Sequence, residues 1–436
     1  MNPFFKEGFV FSYKTTMSKR HYIWLLLAVF SFLWIGCSPQ DAPKKESKYF
    51  VEELATLDLT IKDWLSDVLA QFGSGVSDFN VEDIIDLIDR VLSPKMRVVA
   101  ISYNTQDHFG NPVLGTGCFV YPLNLKPRGV VEMATVGNLD QETCPTTDIQ
   151  KGIFYLESFP SLFNYITITP DMLGVLYTRH MPRPVMLDHN SGLVTYHMRK
   201  AVEEYLLEKE NYQMSNRSII LGYSQGGPAA LSAAKYYMEN PIGIQVDMVY
   251  TGGGAYDGME ALKALARTEK SDYLAIPWIP ISMNYYYQLN LDFSKIFTNG
   301  MENPIDSPDP LEGGDGYAYW FNGAHRSGRL RNRWGTDIRN YMHPDFFSEQ
   351  PKGEFLKLQE CLHENSIAQN WTPDPLLNIY LLHSSEDTFV PVECSDFLYK
   401  KYKEKGCSIH YERITGDHNE AGFEFIKKAG AYLLIK

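Results

Sequence analysis

The segment Ser218-Ile219-Ile220-Leu221-Gly222-Tyr223-Ser224-Gln225-Gly226-Gly227-Pro228-Ala229-Ala230 leaves the chain few local choices. Its apolar, β-branched start reads as a buried central strand. Its small-residue end reads as a helix, with Pro228 in the first turn, where a missing N–H costs nothing. Between them stands Gly222-x-Ser224-x-Gly226, the pattern of a nucleophile elbow. The flanking glycines tolerate a sharp turn and a close helix–strand approach. Ser224 sits at the tip, and the helix N-terminus behind it favours a developing anion. The simpler alternative is a glycine-rich turn whose serine caps the helix.

A serine of this kind needs an acid and a base later in the chain, in that order. Residues 377–383 read as a late strand, and Ser384-Ser385-Glu386-Asp387-Thr388-Phe389-Val390-Pro391 as the loop after it. His383 to Pro391 resembles the H-G-x-x-D-x-x-V-P loop of the α/β-hydrolase superfamily, with Ser384 where glycine is usual. Asp387 takes the aspartate place and Glu386 is the rival acid; a solvated loop carboxylate is the commoner fate of either. Residues 407–414 read as the last strand, 415–419 as a loop carrying His418, and 421–435 as a closing amphipathic helix. His383, His325 and His343 are weaker candidates for the base, and His383 reads equally as a packed core histidine.

These residues imply roles. His418 takes the Ser224 proton and returns it to the leaving group, while Asp387 orients the imidazole. The N–H of Gln225 is one oxyanion donor. The strand at 129–135, third in the sequence count, leads into a loop at 136–140, and Asn138 is the candidate second donor there. A plain connecting loop is the alternative.

The N-terminus reads as a targeting segment. Lys19 and Arg20 precede an apolar run at 22–35 that is short for a membrane span. The run ends Leu33-Trp34-Ile35-Gly36-Cys37, which resembles a bacterial lipoprotein signal with Cys37 as the lipidated residue. An ordinary cleaved signal or an uncleaved anchor is the alternative. Met17 is a possible start. Residues 1–37 are thus a signal peptide, 38–48 a polar tether, and 49–94 an N-terminal helical segment, with helical spacing at 49–72 and 81–92. The expected setting is an exported, cell-envelope lipoprotein held to the membrane by its lipid; otherwise the protein is periplasmic or secreted. Beyond Cys37 five cysteines remain, so they cannot all pair.

The formal charge is −13, with no basic stripe, so no nucleic-acid partner is expected. No spacing argues for a metal, and neither P-loop nor Rossmann glycines suggest a cofactor. Strands alternating with helices over 95–254 and 376–436 predict an α/β core with a mostly parallel sheet flanked by helices. Residues 255–375, between the sixth strand and the acid's strand, lose that rhythm and gather aromatics, among them Trp278, Tyr285, Tyr286, Tyr287, Phe293, Phe297, Tyr317, Tyr319, Trp320, Phe321 and Trp334. They read as a cap over the serine, or as the insertion's own core.

The elbow, Cys144-Pro145, Pro170-Asp171-x-x-Gly174 and the stretch 277–287 resemble the secretory lipase family, of lipase A type. That resemblance implies an α/β-hydrolase fold with a cap, and serine esterase or lipase chemistry on a small-molecule or lipid ester. Its oxyanion aspartate would fall near Asn138. The rival expectations are a serine peptidase or polysaccharide deacylase on the same three residues, or a surface lipoprotein that binds without catalysis.

Overall fold

The computed structural model describes residues 47–72, 95–135, 144–147, 149, 153–240, 242–265, 267, 276–303, 332–348 and 350–435. The first strand, β1 (Phe50–Thr60), runs into α1 (Ile61–Phe72). β2 (Lys95–Gln106) and β3 (Pro112–Pro122) form a hairpin, followed by β4 (Val130–Ala134), α2 (Ile153–Glu157) and β5 (Ile166–Pro170). Then come α3 (Asp188–Glu210), β6 (Arg217–Tyr223), α4 (Gly226–Glu239), β7 (Gln245–Gly252) and α5 (Gly258–Leu265). α6 (Trp278–Tyr287), α7 (Glu354–Glu364) and α8 (Ile367–Asn370) precede β8 (Asn378–Ser384), α9 (Glu393–Glu404), β9 (Ile409–Ile414) and α10 (His418–Ile435).

Among the described residues nine strands form one sheet in the order β1-β2-β3-β5-β4-β6-β7-β8-β9. The β1–β2, β2–β3 and β3–β5 pairs are antiparallel. Every pair from β5 to β9 is parallel. The chain goes outward from β4 to β5, then crosses back to place β6 on the other side of β4. That reversal opens a crevice at the C-terminal ends of β4 and β6, where ligands of open α/β sheets bind. Side chains alternate across the sheet. Ile219, Leu221 and Tyr223 of β6 pack with Trp64 of α1 and Phe425 of α10. Ile220 packs on the other face with the alanines of α4.

Two expectations for the N-terminal half need revision. Residues 50–60 are an edge strand paired to β2, not helix. Register shifts at Phe50/Glu52 and Glu53/Ala55 each insert a residue and turn the following side chains to the other face. Leu54, at the second bulge, shares a face with Leu57 three residues on, while Phe50 packs on the opposite face; the resulting sequence intervals of four and three imitate a helical stripe. Helix begins only at Ile61, where Thr60 and Asp63 cap each other: the Thr60 N–H donates to Asp63 Oδ2 at 2.8 Å and the Asp63 N–H to Thr60 Oγ1 at 3.2 Å. β1 also moves the strand count by one, so the large insertion lies between β7 and β8. The stretch expected to be helical at 81–92 lies outside the described residues.

Within that insertion the aromatics form a core of their own. Trp278, Tyr286, Phe297 and Trp334 are buried with Tyr341, Phe346 and Phe355, and Tyr285, Tyr287 and Phe293 pack against them. Tyr317, Tyr319, Trp320 and Phe321 lie outside the described residues.

A buried ion pair ties the elements around β6. Arg199 of α3 meets Glu132 of β4 at 2.6 Å, with neither side chain exposed. The Ser218 hydroxyl of β6 donates to the same carboxylate at 2.7 Å, and so does the Tyr237 hydroxyl of α4. Glu132→Gln would leave the guanidinium without its main counter-charge. Urea unfolding is expected to show a loss of about 3–5 kcal/mol. Glu132→Leu combined with Arg199→Met should cost less than that single change; an equal or larger loss would remove the ion pair as the source.

Candidate active site

β6 ends at Tyr223 and α4 begins at Gly226, so two residues, Ser224 and Gln225, turn the chain. The first of them, Ser224, has φ +57°. A left-handed serine costs of order 1–3 kcal/mol and persists only where its surroundings enforce it. Here the Ser224 N–H donates to the Gly252 carbonyl at 2.9 Å, and its own carbonyl accepts from the Gly227 N–H at 3.0 Å. Neither elbow glycine can be replaced without movement. A Cβ on Gly226 would stand 2.3 Å from the Ala134 carbonyl oxygen, and one on Gly222 would stand 2.0 Å from that of Gly226. Ser224 remains half-buried at the C-terminal end of β6. Gln225 is the N-cap of α4, beside the helix N–H groups that have no intrahelical acceptor.

Asp387 lies on the loop after β8 with a fully buried side chain. Its Oδ1 accepts the N–H groups of Phe389 and Val390, both at 2.8 Å, which folds the loop around the carboxylate. Its Oδ2 faces His418 Nδ1 at 2.6 Å. Burial pushes this carboxyl upward, but hydrogen bonds from His383 and His418 outweigh it and hold it well below the usual carboxylate range. The rival acid points elsewhere: Glu386 Oε2 accepts the Gly416 N–H at 2.8 Å and so pins the loop before His418.

His418 is the first residue of α10, which begins three residues earlier than the sequence reading placed it. The cause is a capping box. Asp417 Oδ1 accepts the N–H groups of Asn419 at 2.8 Å and Glu420 at 2.9 Å, while Glu420 Oε2 accepts the Asp417 N–H at 2.8 Å. His418 Nε2 lies 2.9 Å from Ser224 Oγ. A carboxylate only accepts, so Nδ1 carries hydrogen toward Asp387, and in the neutral ring Nε2 accepts from the Ser224 hydroxyl. Ser224, Asp387 and His418 are thus brought together from three separate loops.

Several neighbours of the three residues escaped the sequence reading. The Tyr223 hydroxyl donates to the His418 carbonyl at 2.7 Å. The rings of Tyr223 and Phe389 each lie 5.1 Å from the His418 ring. Ser384, where glycine is usual, donates its hydroxyl to the Gly416 carbonyl and accepts the Glu386 N–H at 3.1 Å. Only Ser384 had a sequence signal, as the departure from the loop pattern; Tyr223 and His418 are too far apart in sequence for a local pattern to link them.

The other candidates separate. His343 accepts the Asp345 N–H at 3.2 Å and stacks on Phe355 in the insertion. His383 is buried beside Asp387 rather than beside Ser224. Asp171, of the Pro170-Asp171-x-x-Gly174 turn, accepts the Thr116 hydroxyl at 2.6 Å and the Thr146 N–H at 3.0 Å, and burial raises its pKa. Cys118, Cys144, Cys361, Cys394 and Cys407 are buried free thiols. Asn138, His325 and Cys37 lie outside the described residues. Among the described residues no group of three His, Cys, Asp or Glu side chains is arranged to hold a metal ion, and no helix is long and apolar enough to cross a membrane.

No family model matches the chain, and no curated protein matches it in sequence. Solved structures do match. A Legionella pneumophila protein described as a candidate hydrolase superposes with a TM-score of 0.69 at 17% identity, covering 88% of this chain and 97% of its own. The rice cell wall degrading esterase LipA from Xanthomonas oryzae gives 0.63 at 16%, covering 81% of this chain and 93% of its own. Candida antarctica lipase A gives 0.53 at 10%, covering 76% and 74%. The strand order, the elbow after β6 and these likenesses give the chain the α/β-hydrolase fold, similar in structure to that of lipase A.

Proposed function

We propose that the protein is a serine hydrolase of carboxylic esters. The observation that carries this reading is the continuous contact from Ser224 Oγ through His418 to Asp387, at 2.9 Å and 2.6 Å. His418 Nε2 takes the hydroxyl proton as Ser224 Oγ attacks the ester carbonyl. The resulting imidazolium faces the Asp387 carboxylate and gives its proton to the departing alkoxide as the ester C–O bond breaks. Water then repeats the sequence on the acyl-enzyme, releasing the acid and restoring Ser224. The Gln225 N–H supports the tetrahedral oxyanion from the start of α4, and Asn138 is the proposed second donor; each such donor is typically worth about 3 kcal/mol of barrier.

Esters are favoured over amides because the structural neighbours include an esterase and a lipase. The cell-wall esterase among them also supports an ester on a polysaccharide as substrate. A purely binding role gives no reason for a serine kept at φ +57° against an aligned imidazole. The Gly36-Cys37 signal supports export and lipid attachment at Cys37.

Ser224→Ala is expected to lower the turnover of a short nitrophenyl ester by about 10⁶-fold. A fluorophosphonate should label Ser224 in the wild type and fail in His418→Ala; full ester turnover by Ser224→Ala would refute the reading. Side-by-side rates on nitrophenyl esters, aminoacyl amides and acetylated glycans should rank the amides last. Cells fed an alkyne fatty acid should incorporate it into the wild type and not into Cys37→Ser; equal labelling of both would exclude Cys37 as the lipid site.

A further inference from the structure

His383 is fully buried at the end of β8, four residues before Asp387. Its Nε2 lies 3.0 Å from the Val390 carbonyl oxygen and 3.3 Å from Asp387 Oδ2. Both partners are acceptors, so the hydrogen must sit on Nε2 and point between them. Its Nδ1 lies 2.6 Å from Ser395 Oγ on α9, and Ser395 is itself fully buried. In the neutral ring Nδ1 then accepts the Ser395 hydroxyl proton, and that bond selects the tautomer that donates toward the acid.

We propose that His383, its tautomer set by Ser395, is the positioning residue of Asp387: it donates to the oxygen that receives His418 Nδ1–H and keeps that oxygen aimed at His418. This inference rests on the esterase reading and deepens it.

Three features support it. Asp387 Oδ1 is already occupied by two backbone N–H groups, so Oδ2 is the oxygen left to orient, and His383 and His418 both meet it. The His383 backbone is fixed by its place in β8, paired in register with Arg413 of β9. The Val390 carbonyl that shares Nε2 belongs to the turn that wraps Asp387, so one imidazole braces both the carboxylate and its loop. Other titratable groups face this carboxylate from neighbouring elements: Tyr223 from β6 and Cys394 from α9, with Asp417 close to Tyr223. Tyr223 and Cys394 are shifted upward, chiefly by burial, so their neutral forms are favoured. Glu386 is turned away to Gly416.

The sign of the effect follows. A donor to Oδ2 stabilises the ionised acid, so it lowers the pH at which the Asp387–His418 pair takes up a proton. Removing the donor should move the acid limb of the kcat/KM profile to higher pH.

The test uses the full chain and a short nitrophenyl ester, with Ser224→Ala as background. His383→Leu should lower kcat by about 10- to 100-fold, the loss expected for one hydrogen bond to a charged group, with KM within about twofold. Its acid limb should rise by about one pH unit. His383→Gln, whose amide can donate in place of Nε2, should recover most of both. Ser395→Ala should shift the limb in the same direction by less. A folded His383→Leu protein with wild-type kcat and pH profile would overturn the proposal. Where His383→Leu does not fold, an unchanged pH profile in Ser395→Ala overturns it instead.

A second readout separates this inference from the esterase reading. The low-field proton signal of His418 Nδ1–H and its pH titration, followed by NMR, need no turnover. Wild type without Ser224-dependent hydrolysis would defeat the esterase reading alone. A titration unmoved by His383→Leu or Ser395→Ala would defeat this one.

Discussion

The site depends on one strained residue, Ser224, held where a serine does not rest of its own accord. Its left-handed turn is held by its backbone bonds to Gly252 and Gly227 and by close packing from below. α4 comes so close to β4 and β6 that only hydrogen fits at Gly222 and Gly226. Under that contact the Glu132–Arg199 pair, with Ser218 and Tyr237, joins the strand before the elbow, the helix after it and their two neighbours. A buried pair of this kind contributes little net stability against an apolar replacement. Its directional bonds can still set the register between α4 and the sheet, and that register decides whether the serine turn stays closed.

The acid and base lie on loops, and loops are ordinarily the loosest part of a fold. Here each is folded on its own carboxylate and both are also stitched to each other. Ser384 and Glu386 on the acid loop bond to Gly416 on the base loop, and Ser385 bonds to Ile414. Tyr223, the residue before the serine, reaches the His418 carbonyl. The three loops are therefore linked to one another by hydrogen bonds outside the Ser224–His418–Asp387 contacts. That explains how Ser384 can replace the usual glycine: its hydroxyl takes a cross-loop partner that glycine could not supply.

The parts of this architecture legible in the sequence are those with short-range signals. β6, the elbow, α4 and β8 each announce themselves within ten residues, and the Asp387 and His418 loops follow from chain order. β1 was hidden because two bulges turned a strand's alternation into a helical spacing. The start of α10 has a short-range signal of its own, the capping box of Asp417 and Glu420, but the same polar residues also read as loop. Tyr223's bond to His418, and His383's contact with the acid rather than the serine, depend on how distant strands align. No local pattern carries that information.

The insertion follows a different logic from the relay. Its described aromatics bury one another around Trp278, Tyr286 and Phe297, with Val185 and Leu187 from the stretch before α3 joining them. Polar bonds add to that apolar link: the Tyr286 hydroxyl donates to the Pro182 carbonyl at 2.7 Å, the Val185 N–H to Ser282 Oγ at 3.1 Å and the Asp188 N–H to Asn365 Oδ1 at 3.1 Å. A unit with its own apolar core, joined to the sheet through the stretch before α3, can vary on its outer surface while its inner contacts hold. The fold therefore does not name a substrate: that depends on the surface a ligand meets, which the sheet does not fix.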